Sequence, residues 1–544
     1  MQETRFVAGP PDRVPREARE RRSPAAAAAR PLPLLAAVAT AFALAHLAVV
    51  APGLGLGWDE TVYVSQVSPQ APAAFFSAPR ARGITYLVAP VTSLTTSVPA
   101  LRVYMAVLAG CGLFLALWVW RRLLPAPVLA VAGALFASLW VTMFYASQAM
   151  PNLWVAYGAL AAVGCFLRAA RDPGDHRALI GMGAGVAFAA LMRPSDAVWL
   201  ALPLVAAALV APRTRRRGLL VAVTGAGVAL GCAEWVVEAY LHYGGLAARL
   251  RRASEIQGHL GWYFAVDDHV RALGGRALCR PCDVPWRHPA SGLWFFALPL
   301  LVAGGVRAAV RARYRAPIVL ATVVGVALAA PYLFTVGYAA PRFLLPAYAL
   351  LALPVAQCLV RACAPRARWR RITAGLVAVA VVVHLAIQYV LVDGVANRVR
   401  RDTADLTRIA AELRALGVRP PCVISGDEAV RVAFRTGCAS RQPGGHDGSI
   451  TPQALAATAR HRPVAVLVSY GGRPPAYARQ WRMHPLPNLG RRTGFGAYVA
   501  GAGPLDEERR SGVVTDGSPP AAAAVALRSR RAGHIHCAVR PLYE

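Results

Sequence analysis

Two adjacent carboxylates, Asp59 and Glu60, follow the first long apolar segment of this 544-residue chain. Trp58 precedes them and is typical of a side chain at a membrane surface, and Tyr63 follows one turn later. Carboxylates beside a membrane are costly unless water, a partner or a substrate reaches them. One of them could act as general base on an acceptor nucleophile. Alternatively, Asp59 caps a helix, or the pair begins a solvated acidic loop.

Four arginines could contact an anionic group near the same carboxylates. Arg80 and Arg82 lie in the polar stretch after Glu60. Arg193 lies in a short turn between two apolar segments, and Arg342 stands directly before another. A planar guanidinium matches the oxygens of a phosphate. The alternative is ordinary contact with lipid headgroups by side chains that extend out of the membrane.

Two cysteine pairs are candidate disulfides. Cys279 and Cys282 have the two-residue gap of a zinc half-site, but no second pair with matching spacing follows. On the oxidising side of a membrane such a pair favours a disulfide over a metal site. Cys422 and Cys438 form the second candidate. Neighbouring His and carboxylate residues leave a divalent cation as a further possibility.

The composition indicates a membrane protein. Apolar residues make up 56% of the chain and charged residues only 16%, against roughly 25% charged in soluble domains. The apolar residues fall in about eleven segments that are long enough to be considered as membrane helices. These are residues 32–51, 101–120, 128–147, 152–170, 178–192, 197–211, 218–239, 292–310, 318–336, 343–359 and 373–390.

The charge pattern predicts the orientation of these segments. The net charge of +32 comes from arginine without any lysine, and the arginines cluster in short breaks between apolar segments. Positive charge in short loops stays in the cytoplasm, so the clusters near Arg121, Arg171, Arg213, Arg311 and Arg366 predict a cytoplasmic N-terminus. The same clustering argues against nucleic-acid binding. It favours contact between the arginines and membrane lipids.

The chain therefore divides into four predicted regions. Residues 1–31 form a disordered cytoplasmic tail, and residues 32–392 form a membrane domain with outer loops at 52–100 and 240–290. Residues 401–500 form a small extracytoplasmic α/β domain, because helical and strand-like patterns alternate there. Residues 402–416 have helical apolar spacing, and the β-branched run 464–468, bounded by Pro463 and Gly471, predicts a strand. Residues 501–544 form a flexible tail.

The layout resembles the GT-C class of membrane glycosyltransferases, above all the dolichyl-phosphate-mannose–protein mannosyltransferase family and its bacterial relatives that use polyprenyl-phosphate sugars. One span precedes an outer loop with Asp59, Glu60 and Tyr63. The sequence Pro341-Arg342-Phe343-Leu344-Leu345-Pro346-Ala347-Tyr348 is similar to a late motif of that family, and Arg193-Pro194-Ser195 also resembles it. The resemblance covers roughly residues 32–400.

This resemblance implies an α-helical GT-C-like fold and the transfer of a sugar from a polyprenyl-phosphate donor at the outer membrane face. The acceptor would be a glycan, a lipid or a protein. Asp59, with Glu60 beside it, would be the catalytic base, and Arg342 would contact the lipid phosphate. The further substrate-binding candidates are Tyr63, Arg80, Arg82, Arg193 and Tyr338.

Residues 80–86 contain no His, although relatives often carry a His-Pro segment there. That departure bears on the acceptor more than on the fold. Two other functions stay open, a lipid or glycan transporter and a non-catalytic scaffold of the cell envelope. Transporters tend to show paired repeats and charged or broken helices at the membrane midplane, which this sequence does not show.

Overall fold

The computed structural model describes residues 31–210, 216–280, 282–283, 285–286, 288–312, 314–363, 370–469, 471–486 and 494–500. The predicted terminal tails lie outside these residues apart from residue 31, as do Arg213 and Arg366. The described part consists of a large helical bundle followed by a small sheet domain.

The bundle begins with helices whose lengths reflect their apolar content. They are α1 (Pro31–Val49), α2 (Trp58–Ser65), α3 (Gly83–Thr92), α4 (Val98–Trp118), α5 (Ala126–Ser138), α6 (Trp140–Tyr145), α7 (Asn152–Arg171), α8 (His176–Met192), α9 (Pro194–Val210) and α10 (Arg217–His242). The rest of the bundle comprises α11 (Leu246–Ile256), α12 (Val266–Ala272), α13 (Leu293–Arg311), α14 (Arg315–Phe334), α15 (Leu345–Ala362) and α16 (Arg370–Ala415). Short 3-10 turns lie at Val119–Arg122, Pro289–Gly292 and Pro341–Leu344.

Each of the eleven predicted membrane segments contains a helix. Among the described residues, eight helices are long and apolar enough to cross a membrane, namely α1, α4, α7, α10, α13, α14, α15 and α16. The other three predicted segments hold the shorter apolar helices α5, α8 and α9. The polytopic helical fold that the composition predicts is therefore confirmed, with three of its members shorter than a full span.

Small residues allow the helices of the bundle to approach one another closely. Gly305 of α13 lies against α15 so tightly that a Cβ atom there would come within 1.9 Å of the Pro354 carbonyl oxygen. In lipid, such van der Waals contact replaces the hydrophobic effect as the main attraction between helices. The most enclosed helices are α7 and α15, each with 83% of its apolar window buried, so these two form the centre of the bundle.

The sheet domain follows directly from the last helix. It contains β1 (Val423–Gly426), α17 (Ala429–Thr436), β2 (Ala439–Ser440), α18 (Pro452–Thr458), β3 (Val464–Val468), β4 (Arg482–Pro485) and β5 (Gly496–Ala500). The strand order is β2-β1-β3-β5-β4. Strand β1 pairs in parallel with β2 and β3, whereas β5 is antiparallel to β3 and β4. The predicted small α/β domain is present.

Helix α16 joins the two regions without a break. It is 46 residues long, which corresponds to roughly 70 Å at 1.5 Å per residue. The sequence pattern separates a span at 373–390 from a helix beginning near residue 402, but the backbone continues through the intervening residues. Its final turns bury Leu406, Ile409 and Leu413 in the core of the sheet domain, so the sheet domain is packed onto a continuation of a membrane helix.

Candidate active site

Helix α2 positions the two adjacent carboxylates. The backbone N–H of Gly57 donates to Glu60 Oε2 over 2.9 Å, and the acidic side chains in the first turn complement the helix dipole. Successive residues on an α-helix are about 100° apart. Asp59 and Glu60 therefore point in different directions, and the structure gives them very different surroundings.

The Asp59 carboxylate lies between two arginines. Arg80 Nη2 donates to Oδ1 over 2.8 Å, and Arg342 Nη2 donates to Oδ2 over 3.1 Å. The Asp59 side chain keeps 34% of its surface exposed. Residues 283 positions apart in the chain are thus brought together around a carboxylate that a ligand can still reach.

These contacts set the ionisation of Asp59. Burial alone would raise the pKa of its carboxyl group, but the positive charges of Arg80 and Arg342 and the hydrogen bond from Arg80 outweigh this effect. The pKa of Asp59 is therefore lowered from its ordinary value of 3.8. In the ligand-free state Asp59 is an ionised hydrogen-bond acceptor near neutral pH.

Asp59 opens into a cavity of about 270 Å³. Its wall combines residues from both outer loops, from the ends of several membrane helices and from the sheet domain. The lining side chains include Trp58, Asp59, Tyr63, Ser77, Arg80, Met150, Asn152, Met192, Arg193, Gln257, Arg280, Tyr338, Arg342, Phe343, His446 and Asp447. Four arginines and two carboxylates line the cavity, and this excess of positive charge is suited to an anionic ligand.

Three further predicted residues belong to this cavity. The Arg80 guanidinium carbon is 5.2 Å from the centre of the Tyr63 ring. Arg193 is 3.5 Å from Asp196 through its Nε and lies over the rings of Tyr332 and Phe343. Tyr338 is in contact with the cavity too, and its ring faces the Arg280 guanidinium at 4.7 Å.

Arg342 is oriented by more than Asp59. Its Nη1 donates to the carbonyl oxygen of Ala277 over 3.2 Å and to the Tyr145 hydroxyl over 3.4 Å. The loop that carries Ala277 is held against the Arg342 segment, because Cys279 and Ala339 exchange backbone hydrogen bonds of 2.8 and 3.2 Å. Arg342 is therefore positioned by the backbone of the second long loop.

Glu60 is enclosed in a separate ion pair. Arg102 Nη1 donates to Glu60 Oε1 over 2.6 Å and Arg102 Nη2 to Oε2 over 2.9 Å, in bidentate geometry. Glu60 is only 2% exposed and Arg102 only 1%. Glu60 Oε1 also accepts from the Ala149 backbone N–H over 2.7 Å. The structure thus places Glu60 outside the cavity, where it connects α2 to the segment that leads into α7.

Arg82 is also held away from the cavity. Its Nη2 donates to Glu238 Oε1 over 2.6 Å, and its Nε lies 3.5 Å from Glu234. Arg249, which is fully buried, donates to Glu238 Oε2 over 2.8 Å and to the Arg80 carbonyl oxygen over 3.0 Å. Arg82 is therefore part of a network that supports the backbone of Arg80.

The four predicted disulfide cysteines form two bonds. Cys279 is bonded to Cys282, and Cys422 is bonded to Cys438. Arg280 of the cavity wall lies between the two cysteines of the first bond, and the second bond links the residues directly before β1 and β2. Within the described residues, no group of three or more His, Cys, Asp or Glu side chains is arranged to hold a metal ion.

The sheet domain contributes a carboxylate that sequence reasoning missed. Asp447 lines the cavity, and its loop is attached to the second outer loop because Arg252 Nη2 donates to the Gly445 carbonyl oxygen over 3.2 Å. Burial raises the pKa of Asp447, and the charge of nearby Asp59 acts in the same direction, although Arg80 opposes both. The Gly-Gly-His-Asp-Gly sequence at 444–448 is the signal of a functional loop that could have identified it.

Asn152, Arg280 and Arg102 were also missed. Arg280 stands between two cysteines and Asn152 directly follows a proline, so neither belongs to a recognisable motif. Arg102 is the second residue of a predicted span, where its partner could not be identified without tertiary contacts. These three residues show how strongly the site depends on chain segments that are distant in sequence.

Comparison with solved structures shows the same architecture in two other proteins. ArnT from Cupriavidus metallidurans bound to undecaprenyl phosphate superposes with a TM-score of 0.60 at 13% identity, over 86% of this chain and 97% of that chain. The apo state of ArnT superposes with a TM-score of 0.57 at 14% identity, over 86% of this chain and 97% of that chain. The Archaeoglobus fulgidus oligosaccharyltransferase tethered to an acceptor peptide superposes with a TM-score of 0.50 at 14% identity, over 81% of this chain and 69% of that chain.

No protein-family model matches the sequence, and no curated protein matches it significantly. At identities of 13–14% the structural likeness establishes the fold. This chain has the GT-C fold, as the resemblance noted in its sequence predicts.

Proposed function

We propose that this protein is a membrane glycosyltransferase that moves a sugar from a polyprenyl-phosphate donor to an acceptor hydroxyl or amide at the outer face of the cytoplasmic membrane. The observation that carries the proposal is the placement of Asp59 between Arg80 and Arg342 in an accessible cavity. It combines an acceptor-activating carboxylate with cations for a phosphate leaving group in a GT-C fold.

Arg342 is the residue proposed to contact the lipid phosphate. It stands at the start of the segment Pro341–Ala362, one of the eight helices able to cross a membrane. A lipid phosphate at the membrane surface would meet its guanidinium while the polyprenyl chain stays in the apolar phase. Arg193 and Arg80 line the same cavity and would stabilise the charge that develops on the departing phosphate.

In the proposed reaction, the acceptor oxygen or nitrogen forms a bond to the anomeric carbon of the sugar while the bond from that carbon to the phosphate oxygen breaks. The acceptor proton passes to Asp59, and the polyprenyl phosphate leaves as an anion. An Asp held by two arginines is a weak base. The donor phosphate would be a second anion bound by Arg342 and Arg80. Because these arginines would then interact less strongly with Asp59, the pKa of Asp59 would rise toward the range useful for general-base catalysis.

The orientation across the membrane follows from the arginines at the opposite end of the helices. Helix α7 runs from Asn152 at the cavity to Arg168 and Arg171, about 30 Å away along a 20-residue helix. The segment that begins at Arg342 likewise ends near Arg361. Because positively charged loops remain cytoplasmic, the cavity and the sheet domain are assigned to the outer face. His446 and Asp447 of the sheet domain line the cavity, which supports the proposal that this domain contacts the acceptor.

The test is sugar transfer in membranes that contain the wild type, Asp59→Asn or Asp267→Asn at equal abundance, with a panel of radiolabelled polyprenyl-phosphate sugars. Asp267 is an exposed carboxylate on α12 and provides an isosteric control. We expect the wild type and Asp267→Asn to transfer a sugar. Asp59→Asn should be slower by about 10²- to 10⁴-fold, the usual contribution of a general base.

Two outcomes would change the assignment. Transfer that survives in Asp59→Asn would move the base to another group, of which Asp447 is the nearest candidate in the cavity. Absence of transfer from every donor by a correctly folded wild type would contradict the enzymatic function and favour a transporter or a scaffold.

A further inference from the structure

Asn152 is a buried polar residue whose hydrogen bonds the protein does not satisfy. It is only 1% exposed, and neither its amide nitrogen nor its amide oxygen has a hydrogen-bond partner among the described residues. It nevertheless lines the cavity that contains Asp59 and Arg342. Buried side-chain amides are nearly always paired, so an unpaired amide on a cavity wall indicates a position where a ligand completes the bonds.

The backbone at this position offers additional donors. Asn152 is the first residue of α7, and Pro151 before it supplies no side-chain cap. The first N–H groups of a helix have no acceptor within the helix, and the helix dipole favours electron-rich atoms there. Since Pro151 lines the cavity as well, the first turn of this 20-residue helix begins at the cavity wall.

The ion pair outside the cavity fixes this turn. Arg102 Nη1 donates to the Ser147 carbonyl oxygen over 2.7 Å, and Glu60 accepts from Ala149 N–H over 2.7 Å. Both contacts hold the connection that leads into α7. The unpaired amide of Asn152 is therefore presented by a rigid segment.

The chemistry of the amide distinguishes between the two parts of the donor. An ionised phosphate only accepts hydrogen bonds, and the cavity already provides Arg80, Arg193 and Arg342 for it. The oxygen of a side-chain amide must receive a hydrogen bond, while its nitrogen must donate one. A sugar hydroxyl can do both, so neighbouring hydroxyls on one ring satisfy the amide completely.

We propose that Asn152, together with the first turn of α7, binds hydroxyl groups of the donor sugar and so selects which sugar the protein uses. This inference rests on the proposed function and extends it from the lipid phosphate to the sugar. It assigns Asn152 a role in specificity, whereas Arg342 recognises the phosphate common to all such donors.

The experiment compares the sugar-free lipid phosphate with sugar-bearing lipid phosphates on purified protein in detergent. Binding is measured by thermal shift with undecaprenyl phosphate and with a panel of undecaprenyl-phosphate hexoses and pentoses. The variants are Asn152→Ala and Asn397→Ala; the second removes an asparagine that bonds to Asp393 and Arg400 on α16, away from the cavity. Transfer of the labelled sugars is measured in parallel.

We expect the wild type and Asn397→Ala to bind at least one sugar-bearing lipid more tightly than undecaprenyl phosphate. In Asn152→Ala that preference should fall by about 10-fold, because hydroxyls in the cavity lose their partner, while the affinity for undecaprenyl phosphate is unchanged. Asn152→Ala should be at least as stable to heat as the wild type without ligand, since it removes an unpaired buried amide.

Several results would overturn the inference. If Asn152→Ala lost affinity equally for undecaprenyl phosphate and for the sugar-bearing lipids, Asn152 would be a phosphate contact. If Asn152→Ala kept the preference for a sugar-bearing lipid, Asn152 would have no role in binding the sugar. Lower heat stability without ligand would reveal a structural partner of the amide. A wild type that transfers sugar but shows no preference for sugar-bearing lipids would contradict this inference alone. A wild type that neither binds nor transfers any of the lipids would contradict the proposed function as well.

Discussion

Two charge clusters built from the same residue types lie on neighbouring sides of helix α2. The closed cluster consists of Glu60 and Arg102, and the open cluster consists of Asp59, Arg80 and Arg342. In the closed cluster both charged residues are at most 2% exposed, and backbone groups complete their hydrogen bonds. In the open cluster about a third of the Asp59 side chain is exposed to a cavity.

The difference indicates that one helix carries both an enclosed ion pair and an accessible one. A buried ion pair is costly to form, and once formed it is costly to break on one side. The closed cluster therefore holds α2 and the start of α7 in a fixed relation. The open cluster leaves its arginines able to exchange Asp59 for another anion, which a fully enclosed pair could not do.

The largest effect should come from breaking the closed cluster. Glu60→Gln leaves Arg102 buried without a counter-charge, and we expect the free energy of unfolding to fall by about 3–5 kcal/mol. Denaturation in mixed micelles measures this loss. Glu412→Gln, an exposed carboxylate on α16, is the matched control. A loss below about 1 kcal/mol, typical of a surface pair, would contradict the structural role of Glu60.

A double variant sharpens that result. Replacing both partners, as Glu60→Gln with Arg102→Met, removes the uncompensated charge together with its partner. We expect part of the lost stability to return, because the double variant leaves no uncompensated charge in the buried site. Additive losses from the two substitutions would indicate that the residues act separately.

The second effect concerns ligand affinity at the open cluster. Arg342→Gln should weaken the binding of undecaprenyl phosphate by about 10- to 100-fold, which corresponds to about 1.5–3 kcal/mol for a hydrogen bond to a charged group. Arg82→Gln is the informative comparison, because Arg82 is paired with Glu238 outside the cavity. Isothermal titration in detergent measures both affinities. Equal losses in the two variants would place Arg82 in the binding site after all.

A third, smaller effect is a pH-dependent contribution of Asp59 to stability. Its pKa is lowered in the folded protein, so its contribution is present above the ordinary value of 3.8 and is lost as the pH falls through the folded value. The wild type should therefore be more stable than Asp59→Asn at pH 6, and the difference should shrink at pH 3. Thermal denaturation at both values measures this. A difference that grows in acid would contradict the ion pairs with Arg80 and Arg342.

The smallest effect should come from an exposed pair. Asp267 lies 2.6 Å from Arg271, but 48% of its side chain is exposed. Solvent screens such a pair, and we expect Asp267→Asn to change the free energy of unfolding by less than about 1 kcal/mol. The same denaturation assay provides the measurement. A larger loss would show that solvent exposure does not determine how much an ion pair contributes to the stability of this protein.

Much of the fold follows from local patterns in the sequence. Apolar segments long enough for membrane helices stand out against arginine-rich breaks, and all eleven contain helices. The strand at residues 464–468 was predicted with the bounds that β3 has, because a β-branched run is enclosed between Pro463 and Gly471. Strands β4 and β5 were not predicted. Neither strand contains a run of β-branched residues, and each is defined by its pairing, β5 with β3 and β4 with β5.

The sequence was sufficient to place Asp59, Arg80, Arg193 and Arg342 among the candidates, because all four fall in segments predicted at the outer membrane face, where a lipid phosphate would be bound. The local pattern does not separate the surroundings of Asp59 from those of Glu60, since both lie in the first turn of the same helix. Only the tertiary structure decides between them. Arg102 approaches one side of α2 and Arg342 the other, and whether a charge is enclosed or accessible depends on such long-range contacts. For the same reason Asn152 and Asp447 emerge only from the fold, since an unpaired amide or a carboxylate at a domain boundary has no local pattern that distinguishes it.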